Sequence, residues 1–299
     1  MKTNFFSLML LLFAIILFAS SCIKTDNNAT DNITDPNNSS SANLIIQFKF
    51  DSNQTRLNNV GLPSSLPNNH AAQSPTFNGI SAHYIELAPS AFTFLGEGAL
   101  LYQGPETTAG GNKAVNFDEA LVVAEGETFL SLPIKDLTPG TYEHIRVSLS
   151  YQNYDIQLKA LGFTVTGTLA SFIGYNTYIN DHTINTNNLS VNGNRLQGYW
   201  AFESPYGVIE GQAPEGATTV PNPLFASSPI PQGSCVVTGS FGTPLQITGT
   251  ETEDINLTLS LSTNNSFEWI NSDGNSTFDP LDGDIVVDMG IRGLIPLID

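Results

Sequence analysis

From residue 43 onward, apolar residues come in short bursts, many alternating with polar ones, and most bursts are closed by Gly, Pro, Asn or Asp. That rhythm excludes most helical architectures, because no stretch sustains a 3.6-residue period over twelve or more positions. The first burst, NLIIQFKF (43–50), sets Leu44, Ile46, Phe48 and Phe50 against Ile45, Gln47 and Lys49, the two-residue period of a half-buried strand. Further strand-like runs are HYIEL (83–87), AFTFL (91–95), ALLY (99–102), ALVVA (120–124), TFLSLPI (128–134), YDIQLKA (154–160) and FTVTGT (163–168). In DLTPGTYEHIRVSLSYQ (136–152), Pro139-Gly140 predicts a turn leading into a strand that carries Tyr142, Ile145, Val147 and Leu149. The best helical candidate, TLASFIGY (168–175), offers at most two turns. GYWAFE (198–203), CVVTGSF, LQITGT, INLTLSLS, SFEWI and DIVVDMGI complete the series, with an Asn-rich hairpin expected at 186–194. Short strands at this spacing predict an all-β sandwich or barrel.

Two segments break the pattern. Residues 51–78 are rich in Pro, Asn and Ser and predict a long ordered loop. Residues 204–234 carry six prolines, a length of loop that is usually functional or disordered. One β-sandwich domain over 44–299 and a division near 160–234 into two β-rich halves both remain open. Only 13% of residues are charged, while Asn, Ser, Thr and Gly abound, a mixture suited to strands joined by polar turns. The 28 acidic residues against ten basic ones leave a net charge of −18, which argues against nucleic acid and anionic lipid surfaces as partners.

The first 22 residues set the compartment. Lys2, the apolar run from Phe5 to Ala19, two serines and Cys22 follow the order of a secretory leader, and the run is shorter than the roughly 20 residues a spanning helix needs. The sequence Ala19-Ser20-Ser21-Cys22 resembles the lipobox of bacterial lipoproteins, with Ala19 standing where that family usually has Leu or Val. The resemblance implies a signal peptide over 1–21, acylation of Cys22 and membrane attachment through that lipid. It also implies an outer-membrane lipoprotein on the periplasmic or cell-surface side. Ala19-x-Ser21 also fits ordinary cleavage, which would release a soluble secreted form. Residues 22–43 hold one large apolar residue after Ile23, namely Ile33, and predict a flexible tether. With Cys22 acylated, Cys235 has no disulfide partner and, in an apolar strand-like run, reads as a small buried hydrophobe.

The run Gly140-Thr141-Tyr142-Glu143-His144-Ile145-Arg146-Val147 resembles the G-x-Y-x-x-I-R-V strand of several uncharacterised bacterial lipoprotein families. In general layout the chain is also similar to lipoproteins of the methanobactin-partner type. What this implies is an Ig- or transthyretin-like β-sandwich with long loops; it transfers no functional residue.

Three constellations bear on function. In N-S-D-G-N-S-T-F-D-P-L-D (271–282), oxygen-bearing side chains recur at the positions of a twelve-residue calcium loop: Asn271, Asp273, Asn275, Asp279 and Asp282. Thr277 stands where a backbone carbonyl serves, and Asp284 is a further candidate. Asn at position 1, Ser276 at position 6 and Asp rather than Glu at position 12 depart from that loop, and an Asx-rich turn capping its own backbone is the alternative. Calcium here is expected to be structural. Second, Tyr175, Tyr178, Tyr199, Trp200 and Tyr206, with Trp269, are aromatics of the kind that stack on sugars; the competing reading puts the tryptophans in the core. Third, His70, His83, His144 and His182 have no ligand spacing, and the sequence lacks G-x-S-x-G, H-E-x-x-H and a phosphate-binding glycine loop. The expectation is a non-catalytic binding or structural lipoprotein with an unknown protein or glycan ligand. Glycan capture is the alternative, and a hydrolase with an unrecognised site the third reading.

Overall fold

The computed structural model describes residues 42–57, 62–214, 226, 228–272 and 274–299. The leader, Cys22, the tether up to residue 41 and Asp273 lie outside these residues. The described chain is nearly all β. In order come β1 (Asn43–Asp51), β2 (His70–Gln73), β3 (Thr76–Ala88), β4 (Ala99–Gln103), β5 (Glu106–Thr107) and β6 (Ala114–Asn116). Next are β7 (Thr128–Pro133), β8 (Gly140–Ala160), β9 (Phe163–Phe172), β10 (Asn176–Thr183), β11 (Asn188–Leu196) and β12 (Tyr199–Ser204). The last are β13 (Gly207–Gln212), β14 (Cys235–Ile247), β15 (Ile255–Ser262), β16 (Phe267–Ile270), β17 (Ile285–Met289) and β18 (Arg292–Ile298).

Everything is arranged around β8, 21 residues long. One of its edges pairs with β3; the other pairs first with β14 and then with β9, giving a seven-stranded sheet that ends in β12 and β13. In the β3 ladder Ser81 faces Tyr151 and Ala82 faces Leu149, so Ser150 is skipped. Such a bulge turns the alternation over by one residue. Ile145, Val147 and Leu149 before it therefore share a face with Tyr154, Ile156 and Leu158 after it. On that face, the sheet β18-β15-β1-β7 covers the first half of β8, and β17-β16-β2 covers the second. Tyr151, Phe172, Ala170, Tyr199 and Ala201 point to the opposite face and are covered by Ile179, Ile184 and the sheet β11-β10-β6-β5. The architecture is thus layered sheet on sheet, as the alternation predicts.

The Gly140–Val147 run has a clear local logic. Tyr142 is buried and its hydroxyl donates to Thr138 O at 2.7 Å, anchoring the strand's start, while Ile145 and Val147 enter the core. Arg146 faces the other way and pairs with the fully buried Glu86 at 2.9 Å. It also donates to Thr93 O, and Glu86 accepts from Tyr84 OH and Gly96 N.

Several expected elements differ. AFTFL is not a strand: Ser90 Oγ accepts from Phe92 N and Thr93 N donates to Ser90 O, so local turn bonds win, and Phe92 and Phe94 are exposed. ALVVA contributes only a bridge between Val123 and Ile80. TLASFIGY is no helix: residues 168–172 continue β9, with Leu169 and Ser171 on one face and Ala170 and Phe172 on the other. The two runs expected in 136–160 fuse into β8, and CVVTGSF and LQITGT fuse into the bulged β14. The loop expected over 51–78 holds β2 and the start of β3, and the 204–234 segment begins with β13. Cys235 is buried, as expected.

Candidate functional site

Between the far end of the large sheet and β17 lies a cleft of about 480 Å³. Its floor is Ile156 and Leu158 of β8, Leu169 and Ser171 of β9, and Trp200 and Phe202 of β12. Phe267, Phe278, Val286 and Met289 oppose them. It exists because β13 and β17 are the outermost strands of their respective sheets, so the two layers meet without closing. Ile209, Ile285 and Val287 line its mouth while staying 60%, 60% and 41% exposed. Two glycines shape the floor. A Cβ on Gly211 would stand 2.4 Å from Trp200, its cross-strand partner, and one on Gly167 would stand 2.0 Å from Phe202. Glycine at both places lets the rings lie flat across the sheet.

The lining is mostly apolar, with Gln152 and Asp288 towards one end and Asp284 towards the other. Gln152 is fully buried opposite Ser171, which in turn stands opposite Trp200. Gln152 Nε2 and Tyr154 OH both donate to Met289 O, whereas Gln152 Oε1 has no hydrogen-bond donor among the described residues. Asp284 and Asp288 also line the cleft, and no Lys, Arg or His does among the described residues.

The sugar-binding aromatics expected from sequence do not form one platform. Trp200 lines the cleft, but its neighbour Tyr199 points through the sheet to the opposite core, where its hydroxyl donates to Glu210 at 2.5 Å. Burial first, and Glu210 second, push the Tyr199 phenol up to about 12. Tyr175 donates to Glu106 on that other side, Tyr178 sits on β10 opposite Asn116 and Asn194, and Tyr206 is exposed at the β12–β13 turn. Trp269 is fully buried against Phe267 and Phe278.

In the loop expected to bind calcium, the side chains are turned onto the backbone. Asn271 Oδ1 accepts from Gly274 N, Asn275 Oδ1 from Thr277 N, and Asp279 Oδ1 from Leu281 N and Asp282 N. Asp284 closes the loop, accepting from Ser272 N and Oγ through one oxygen and from Asp279 N through the other. Asp282 contributes its carbonyl to Ser272 Oγ, and Lys159 stands 3.5 Å from Asp279. Among the described residues no group of three or more His, Cys, Asp or Glu side chains is placed to hold a metal ion.

One polar constellation escaped the sequence reading. His83, 1% exposed, lies 3.1 Å from Glu106, which also receives Tyr175 OH and the Lys113 ammonium. Burial works to raise the Glu106 carboxyl, but hydrogen bonds from His83 and Lys113 outweigh it and hold it down at about 2. The contacts come from β3, β5, Lys113 and Tyr175, so no local spacing announces them. No protein-family model, curated protein or solved structure matches the chain.

Proposed function

We propose that this chain is a binding protein, tethered to the outer membrane through an acylated Cys22, that takes a small apolar molecule into the cleft between β12 and β17 rather than catalysing a reaction. The observation that carries this is the cleft: its volume of about 480 Å³ falls in the range of small-molecule sites, and its walls are aromatic and aliphatic with few polar groups. Water confined there meets few partners, so an apolar ligand gains from displacing it. Glycan capture has less support, because the aromatics that would stack on sugar rings are divided between two faces of one sheet. Titration with the neutral fluorophore N-phenyl-1-naphthylamine tests the reading. Saturable fluorescence gain with quenching of tryptophan emission is expected, and Trp200→Phe should reduce that quenching. A linear, non-saturating response from folded protein would refute it.

A further inference from the structure

We infer that the cleft selects an apolar molecule whose head is a hydrogen-bond donor without negative charge, a hydroxyl or an amine; this rests on the cleft reading above and specifies its ligand. The head's place is set by Gln152. Its amide nitrogen is fixed on Met289 O, so its oxygen has one defined direction, and that oxygen is buried in the cleft lining without a donor among the described residues. Leaving a buried amide oxygen unsatisfied is costly, and one kept in a folded protein asks for a partner that the described residues do not supply. Met289 O already receives two donors and cannot be that group's competitor for a third. Ser171, 1% exposed and directly across the strand, adds a hydroxyl that can turn either way, so a ligand hydroxyl could donate to Gln152 and accept from Ser171.

Charge decides between heads. Asp284 and Asp288 line the same cleft, and no cationic side chain does among the described residues. Asp288 Oδ1 is held by Gly290 N at 3.1 Å, beside the Gln152 end. A carboxylate or phosphate head at pH 8 has no proton to give Gln152 Oε1, and it would be taken from water into apolar surroundings with no cation among the described lining residues. A hydroxyl or an amine has a proton to give. Fatty acids and phosphate-headed lipids are therefore the disfavoured amphiphiles, and long-chain alcohols and amines the favoured ones.

The test is displacement of N-phenyl-1-naphthylamine from the mature protein at pH 8 by three ligands of one chain length, dodecan-1-ol, dodecylamine and dodecanoate, each kept below its aggregation concentration. The alcohol and the amine should displace the probe at roughly tenfold lower concentration than the carboxylate. Gln152→Met should weaken dodecan-1-ol more than dodecanoate, each measured against the probe affinity found for that variant. Dodecanoate binding as tightly as dodecan-1-ol to the unsubstituted protein overturns the head-group inference and leaves the apolar cleft standing. Failure of the probe and all three ligands to bind folded protein overturns both. If Gln152→Met does not fold, the wild-type ranking decides alone.

Discussion

His182 is the residue whose environment makes the plainest demand on solution conditions. It is 3% exposed, its ring packs edge-on against Phe172 and Tyr199, and neither ring nitrogen has a hydrogen-bond partner among the described residues. Burial lowers its pKa to about 4, although Glu210 and Asp181 pull the other way. The unfolded chain takes up that proton near pH 6.5, so between 6.5 and 4 the unfolded state binds more protons than the folded one. The stability His182 allows is therefore full above pH 6.5 and is lost as pH falls towards 4. Glu106 and Glu203 act in a separate window. Both are held at about 2 against burial, Glu106 by His83 and Lys113, Glu203 by Thr186 and the amides of Asn187 and Asn185. Their contribution is present above about pH 4.5 and fades only below it. A series of thermal melts should show Tm falling by roughly 5 °C between pH 7 and pH 4.5. His182→Phe, which keeps an aromatic ring against Phe172, should flatten that fall. A variant with the same slope as the parent would place the titration elsewhere.

At the scale of the element, the loop between β16 and β17 shows how one sequence pattern serves two geometries. Oxygens at alternate positions suit a calcium ion, and they equally suit Asx turns. The hydrogen bonds of Asn271, Asn275, Asp279 and Asp284 are of the second kind. Asp284 carries most of the closure, so Asp284→Ala should cost on the order of 2 kcal/mol, seen as a lower urea midpoint with unchanged slope. EDTA should leave the parent's melting midpoint where it was; a fall on chelation, restored by Ca²⁺, would establish calcium there and displace the Asx account. The same contrast explains what the sequence discloses. β1 and β15 are legible because apolar and polar residues alternate along them. The AFTFL run was misleading, since its β-formers are overruled by a serine turn and by Glu86 and Arg146, 60 residues apart. β18 was missed because RGLIPLI carries a proline, tolerated opposite Leu259 on a strand at the sheet's edge. Trp200 could be singled out as an aromatic, but its cleft could not. Gln152, Ser171 and Met289 converge only through the β8 bulge and the docking of β17, which no local spacing records.

For the whole molecule, the acylation proposed at Cys22 and the cleft belong to separate parts of the chain, and that separation can be tested. The first strand starts at Asn43, and its partners β7 and β15 hold it through residues of the folded domain alone. Some twenty residues lie between Cys22 and that strand. If the attachment works as a tether, its chemistry governs location and leaves the binding site alone. Mass spectrometry of the mature N-terminus should find acylated Cys22, and Cys22→Ala should move the protein from the membrane fraction to the soluble one. The released protein should bind N-phenyl-1-naphthylamine with the affinity of detergent-solubilised parent, since Trp200, Gln152 and Met289 all lie within the domain. A Cys22→Ala protein that is soluble but has lost the cleft's affinity would tie the acyl group to the binding site itself. An unmodified Cys22 at the mature terminus would instead identify the secreted form that Ala19-x-Ser21 also permits.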